Sequence, residues 1–315
     1  MPASKDFNEF YETTLKDLLV PFEKQRKGLT SYGIIGSILI GCAILLFFIL
    51  SSTQQMVMGV LAVVLLITAV VFLIIFYNKK KEYRAGFKHE IVSSIIEFID
   101  PGLSYNPDRC INPNDYEKSG LFLQKPDKYN GDDYVEGKRD KTFFCFSELH
   151  TEYKTSNGKS TSWHTIFKGL FFIGDFNKHF QGRTYVYSES NPQINFFTKL
   201  FSAFSWNLEK VKLESLEFEN KFIVYSSDQV EARYILTPSF MERLVKLQSM
   251  MGSETSFSFV NTNVHVAVPI GKALFEPSVF SPNDYNKLGD YYNTVHIVFD
   301  IIDELNLNLR IWTKE

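Results

Sequence analysis

Residues 29–78 read LTSYGIIGSILIGCAILLFFILSSTQQMVMGVLAVVLLITAVVFLIIFYN, a run without one charged side chain or histidine. A helix needs about 20 predominantly apolar residues to cross the hydrocarbon core of a bilayer. The run therefore accommodates two spans, residues 32–50 and 56–77, with the polar Ser51-Ser52-Thr53-Gln54-Gln55 between them. Backbone polar groups in lipid must be satisfied within the segment, which requires both spans to be continuous helices. The sequence predicts a transmembrane helical hairpin.

The flanks orient it. Lys24, Arg26 and Lys27 precede the first span, Lys79, Lys80, Lys81 and Arg84 follow the second, and the turn carries no charge. Positive charge marks the cytosolic side of a span, so both termini are expected in the cytosol. A secretory signal would place a shorter apolar core, about 7 to 15 residues, near the N-terminus. Here a charged segment comes first. Leu39-Ile40-Gly41-Cys42 has the look of a lipobox, but the apolar run continues past Cys42 to Leu50, which makes Cys42 an ordinary small residue. Cys110 and Cys145 are the other two cysteines, too few for a disulfide framework and consistent with a reducing compartment. Within the first span Gly33, Ser37 and Gly41 fall four apart and form a small-residue ridge suited to transmembrane packing. Gly59, Ala62 and Ala69 offer a counterpart on the second, so packing within the hairpin is favoured over a homo-oligomer, which stays possible.

Around the hairpin lie amphipathic segments. In residues 1–28, Phe7, Phe10, Tyr11, Leu15, Leu18 and Phe22 recur at helical spacing, and in residues 79–100 Phe87, Ile91, Ile95 and Phe98 do the same before Asp100-Pro101-Gly102 stops the helix. These helices either continue the spans as a stalk or fold into a core. The remaining residues, 101–315, are expected to form one cytosolic domain. A formal charge of -3 gives no basic excess for nucleic acid, and 30 phenylalanines supply ample core side chains.

In that domain the apolar period changes to two. Residues 141–154 and 161–173 alternate around Asn157-Gly158, a strong hairpin signal. A two-residue turn there would set Phe144 opposite Phe171, Phe143 opposite Phe172 and Cys145 opposite Leu170. Further strands are expected at 184–187, 222–225, 256–260, 264–269 and, closing the chain, 305–311. Thr237-Pro238-Ser239 opens a helix to about Met250 with an oxygen cap and an early proline. A last helix starts near Asp284 and turns Leu288, Tyr292, Val295, Phe299 and Ile302 inward. The predicted class is α+β, with mostly antiparallel pairing.

The segment FIVYSSDQVEARYILTPSFMERL at 222–244, Tyr129-Asn130-Gly131-Asp132-Asp133, FKGLFF at 167–172 and the ending Asn308-Leu309-Arg310-Ile311-Trp312 resemble a bacterial two-span membrane-protein family of unknown function, the DUF3137 family. The order of helix, two spans and cytosolic domain is similar too. The resemblance implies a bacterial inner-membrane location and transfers no catalytic residue.

Candidate chemistry is sparse. Glu148, His150 and Glu152 alternate on one strand, a carboxylate and imidazole set that could ligate a metal. Neighbours two apart on a strand splay, and no fourth ligand is identifiable, so a solvated polar face is favoured and no cofactor is expected. Asp228, Glu231 and Arg233 lie between a strand and a helix. As an acid-base group they would make a membrane-bound enzyme; the favoured account is an Arg-carboxylate pair locking the corner. Asp132 and Asp133 are expected in a turn. Residues 192–206, PQINFFTKLFSAFSW, place Phe197, Phe201 and Phe204 on one helical face with Trp206 at its end, a surface for the domain's own sheet or for the membrane interface. Trp163, near the hairpin tip, is a candidate partner anchor. No phosphate-cradling loop, nucleophile elbow or zinc-helix motif occurs. The expected role is a non-enzymatic, membrane-anchored interaction or regulatory module whose partners are the lipid bilayer and a protein.

Overall fold

The computed structural model describes residues 5–53, 56–176, 178–189, 208–251 and 254–305. The chain forms two compact units, Met1–Ile95 with Phe275–Tyr292 and Ile96–Leu274 with Asn293–Glu315.

In the first unit, helix α1 (Lys5–Phe10) passes through a π-helical turn (Tyr11–Leu15) into α2 (Lys16–Thr53). Helix α3 (Met56–Phe87) passes through a second π-turn (Lys88–Val92) into α4 (Ser93–Ile99). Each amphipathic segment is thus continuous with a long apolar helix. The π-turns rotate the buried face. Leu19 is buried where the plain 3.6-residue period expected Leu18, and Val92 and Ile96 join Ile91 and Ile95. A wider turn advances the chain by one extra residue, so every later side chain steps round the helix.

Helices α2 and α3 pack along a seam of small and apolar residues, with Leu29, Gly33, Gly36 and Ala43 facing a partner set that includes Ala62 and Ala69. The spacing of three and four is that of a two-helix coil. A Cβ on Gly33 would lie 3.0 Å from the Phe76 ring, a tight contact that glycine relieves, so the ring rests close on the α2 backbone. Ser37 and Gly41 lie off this seam, exposed within the chain, and Gly41 has open space around it. The outer faces are apolar and bare: Ile38, Phe47 and Phe48 on α2, and Val63, Ile67 and Ile74 on α3. Both helices are long and apolar enough to cross a membrane, and a surface of this kind suggests membrane association.

The second unit is a nine-stranded sheet in the order β1-β2-β3-β4-β9-β8-β5-β7-β6. The strands are β1 (Ser104–Asn106), β2 (Lys128–Arg139), β3 (Thr142–Ser156), β4 (Thr161–Asp175), β5 (Arg183–Ser188), β6 (Glu209–Val211), β7 (Phe222–Ser226), β8 (Ser256–Val260) and β9 (Asn263–Pro269). Every pairing is antiparallel, and the class is α+β. One face carries Phe144, Phe172 and Phe259. It packs under α8 (Pro238–Met251) through Phe240, whose ring lies 5.8 Å from Phe259, and under the C-terminal half of α9 (Tyr285–Glu304) through Phe299, 6.2 Å from Phe144. The other face carries Leu149, Phe171, Tyr185 and Tyr187 and is covered by Ile111, Tyr116 and Leu121. Short helix α5 (Pro113–Lys118) delivers Tyr116; Asn112 caps it by accepting from Asn114 N–H, and Pro113 opens its first turn. Two further short helices are α6 (Leu216–Glu219) and α7 (Gln229–Ile235).

The β3–β4 register differs from the two-residue-turn expectation. Ser156 pairs with Thr161, and a bulge at Thr151/Glu152 adds a further step, so Phe144 faces Gly174, Cys145 faces Ile173 and Phe146 faces Phe172. Asn157 is the reason. Its Oδ1 accepts from Lys159 N–H at 3.1 Å and Ser160 N–H at 2.9 Å, which folds residues 157–160 into a four-residue loop. In β4, Gly169 adopts φ +153°, and a Cβ there would strike the Val268 carbonyl, which explains the glycine of FKGLFF. The expected closing strand at 305–311 lies outside the described residues beyond Leu305.

Gly33→Leu should force Phe76 off the α2 backbone and lower the melting temperature of the protein in detergent. Gly41→Leu should leave it unchanged. Equal losses for the two variants would contradict the seam.

Candidate functional site

The densest polar cluster forms where β2 is bulged between Asp132 and Val135. The two aspartates predicted as turn residues are part of this strand region: Asp132 pairs with Glu148 across β2–β3, and Asp133 adopts φ +57°. Asp tolerates that conformation because its short side chain can hydrogen-bond locally. Asp133 is fully buried and accepts a 2.5 Å hydrogen bond from the Tyr105 hydroxyl. Burial, and next the Asp133 charge, push the Tyr105 phenol far above its usual range, so it stays a donor. Glu148 accepts from Leu274 N–H at 2.7 Å. Among the described residues, Asp132, Asp133 and Glu148 form the group whose carboxylate oxygens all lie within 4.8 Å of one another. Such an all-oxygen set has the chemistry of calcium or magnesium ligands rather than zinc ligands. Buried Asp133 and half-buried Glu148 are already engaged by Tyr105 and the Leu274 N–H, as bracing of a bulge requires.

His150 and Glu152 are placed apart from that group. Glu152 receives the Lys128 ammonium at 2.9 Å, and His150 Nε2 stands 3.8 Å from it. Along β3, Glu148 does not share its partners with His150 and Glu152. The carboxylates it meets come from the adjacent strand, and only register reveals them. Cys110 and Cys145 lie nearby, and burial raises both thiols, Cys145 to about 11. Neither has the lowered pKa of a nucleophilic thiolate.

Asp228, Glu231 and Arg233 come together differently from an Arg-carboxylate lock. Asp228 caps α7, its Oδ1 accepting from Val230 and Glu231 N–H, each at 2.9 Å. Glu231 reaches back across the corner and accepts from Gln181 N–H at 3.1 Å and Gly182 N–H at 2.8 Å. Lys178 stands 3.9 Å from Glu231 and 4.2 Å from the centre of the Tyr234 ring. Burial lowers the Lys178 pKa while Glu231 opposes that shift. Arg233 is exposed and donates to Gln229 C=O at 3.0 Å, and no ion pair joins it to Asp228 or Glu231 among the described residues. The reason is position. Arg233 is five residues past the cap, on the outer side of a two-turn helix, whereas Glu231 in its first turn faces the 181–182 backbone. The corner is locked by carboxylates on N–H groups.

A third cluster is His265 on β9 and Ser258 on β8, with Nδ1 and Oγ 3.1 Å apart in the buried layer of the sheet. Burial lowers the histidine to about 4, which keeps it neutral at physiological pH. Trp163 is half-exposed on β4, with the Lys128 ammonium 5.8 Å from its ring centre. Phe197, Phe201, Phe204 and Trp206 lie outside the described residues. A cavity of about 360 Å³ lined by Phe122, Phe167, Lys168, Ala267 and Ile270 includes none of Asp228, Glu231 and Arg233. The same holds for a cavity of about 520 Å³ bordered by Ser104, Tyr134, Phe143 and Cys145.

Residues 165–307 match the DUF3137 family model, described as a protein of unknown function. The resemblance read from the sequence thus holds across FKGLFF and the 222–244 segment. The DUF3137 match takes in β4 from Thr165 onward, strands β5 to β9, the Asp228–Glu231 corner and the Ser258–His265 pair, and leaves the Asp132, Asp133 and Glu148 cluster outside. No curated protein matches the chain. Among solved structures the chain is similar to the mycobacterial trehalose monomycolate transport factor A, TtfA, at 10% identity and a TM-score of 0.34, over 69% of this chain and 93% of that one.

Two outcomes test this geometry. Asp228→Ala should cost about 1 kcal/mol of stability as the cap is lost, whereas Arg233→Ala should change it by less than about 0.5 kcal/mol, both read by thermal unfolding in detergent. For His265, the unfolded state has the ordinary pKa of about 6.5 and the folded state about 4. Between those values the unfolded chain binds more protons, so stability is full above pH 6.5 and falls as pH drops toward 4, by about 3 kcal/mol in all. A His265→Asn variant should lose that arm of the pH profile relative to the wild type.

Proposed function

We propose that this protein is a membrane-anchored module whose α+β domain works on the cytosolic side, as an interaction or regulatory element of the bacterial inner membrane rather than an enzyme. The observation that carries the membrane part is the bare apolar outer surface of α2 and α3, with Phe47 64% and Phe48 70% exposed. Water would leave that surface with a large unfavourable hydration cost, and lipid removes it. The cationic flanks at Lys24, Lys27 and Lys79 to Lys81 support cytosolic termini. The interaction part draws support from the chemistry of the corner: Asp228 and Glu231 spend their oxygens on backbone N–H groups, which holds shape and leaves little for proton transfer. Trp163 on the β3–β4 hairpin and, by sequence, the 192–206 segment are the proposed contacts for a protein partner.

Fusions of a reporter active only in the cytoplasm should work at both ends of the chain, and the protein should stay with membranes through an alkaline wash. A C-terminal fusion that reports from outside would overturn the orientation; release by the wash would overturn the anchor.

A further inference from the structure

The loop that precedes α9, Phe275-Glu276-Pro277-Ser278-Val279-Phe280-Ser281-Pro282-Asn283, belongs to the same unit as the hairpin and is fastened to its cytosolic end. The Val279 carbonyl accepts from Thr30 Oγ1 at 2.8 Å and from the Arg26 guanidinium at 3.3 Å. Asn283, buried, accepts from Ser278 N–H at 2.7 Å and donates to the Tyr83 hydroxyl at 2.8 Å. Glu276 pairs with Arg84. Pro277 and Pro282 restrict the backbone on either side of the tip. From this ordered loop one large apolar side chain points outward. Phe280 is 69% exposed, and its ring stacks on Phe76 at 6.2 Å with planes 26° apart.

The depth of that ring follows from α3. Phe76 is inside the apolar run, three residues before Lys79, and at 1.5 Å per residue it lies about 4.5 Å to the lipid side of that charge. Tyr77, also exposed, and Tyr32, which carries the Lys79 ammonium 5.8 Å from its ring centre, are at the same level. Aromatic rings at the boundary between acyl chains and headgroups, with cations just outside, are the usual composition of a membrane interface.

We propose that Phe280 is a membrane-interface anchor, inserted at the acyl-headgroup boundary beside Phe76 and Tyr77, so that the bilayer surface holds the loop from which α9 begins. The inference rests on the membrane reading above. It gives the lipid a contact outside the two spans, made by a residue some 200 positions later in the chain.

Tryptophan quenching tests it. Phe280→Trp and, separately, Ile67→Trp in the middle of α3 are reconstituted as full chains in phosphatidylcholine and phosphatidylglycerol vesicles. The lipids carry bromine either near the headgroup or near the bilayer centre, and the wild-type signal is subtracted. The Ile67→Trp signal should be quenched best by the deep bromines. The Phe280→Trp signal should be quenched best by the shallow ones, the reverse of the order at Ile67→Trp, and should resist aqueous acrylamide. If Ile67→Trp is quenched by lipid and Phe280→Trp only by acrylamide, the loop lies in water and the anchor is refuted while the spans stand. If Phe280→Trp is shielded from both, a second copy or another protein covers it and the anchor is again refuted. Absence of lipid quenching at Ile67→Trp would remove the membrane reading itself.

Discussion

A buried amide closes the first unit. Asn283 sits 2% exposed between the loop before α9 and the two long helices, bonded to Tyr83 Oη, to the Ser278 N–H and carbonyl, and through its own N–H to Glu23 at 3.3 Å. Buried polar groups are stable only when their hydrogen-bonding capacity is met, so this node requires α2, α3 and the loop in one arrangement. Around it the apolar faces of the charged helix ends find their cover. Phe7 meets Tyr285 and Tyr292 with ring centres 5.7 and 4.7 Å apart, and Phe22 meets Phe87 edge-on at 5.5 Å. The stripe that begins at Phe7 is thus completed by Tyr285 and Tyr292, and Phe87 of the second stripe is covered by Phe22 of the first.

Charge in this region is arranged with the same economy. Arg26, one of the cationic flank residues, is buried and held by Glu23 at 2.9 Å as well as by the Val279 carbonyl. A buried guanidinium needs such partners to offset its lost hydration. It thus acts as a structural clamp, which leaves Lys24, Lys27 and the Lys79 to Lys81 run as the rest of the positive flank. Tyr83, its phenol raised by burial ahead of the nearby Glu23 charge, remains a neutral hydroxyl within the same node.

In the sheet unit four polar side chains brace places where the ladder is interrupted. Glu231 spans two N–H groups before β5, Asp228 caps α7, Asp133 braces a bulge, and Asn157 folds a hairpin loop. Irregular backbone needs such partners because it cannot complete a ladder of its own. The DUF3137 match covers the corner and the core strands β4, β8 and β9, where the sheet is most buried. These contacts over-determine the local shape of the sheet unit.

The apolar run, its flanks and the alternating segments were legible in the sequence because they depend on local quantities: hydropathy over a window, period two against period 3.6, caps and turn residues. These settled the two long helices, the α+β class, β8 and β9, and the helices opened by Thr237-Pro238 and near Asp284. What the chain brings together across distance was not legible. The π-turns moved the buried face from Leu18 to Leu19, and a four-residue loop plus a bulge moved Phe144 from Phe171 to Gly174. Strand neighbours replaced the Glu148, His150 and Glu152 set with Asp132, Asp133 and Glu148, and helix phase turned Arg233 outward. Each depends on a step of one or two residues in register or helical phase. That step barely alters local propensity, yet it redirects every side chain beyond it, so only packing between distant segments could decide it.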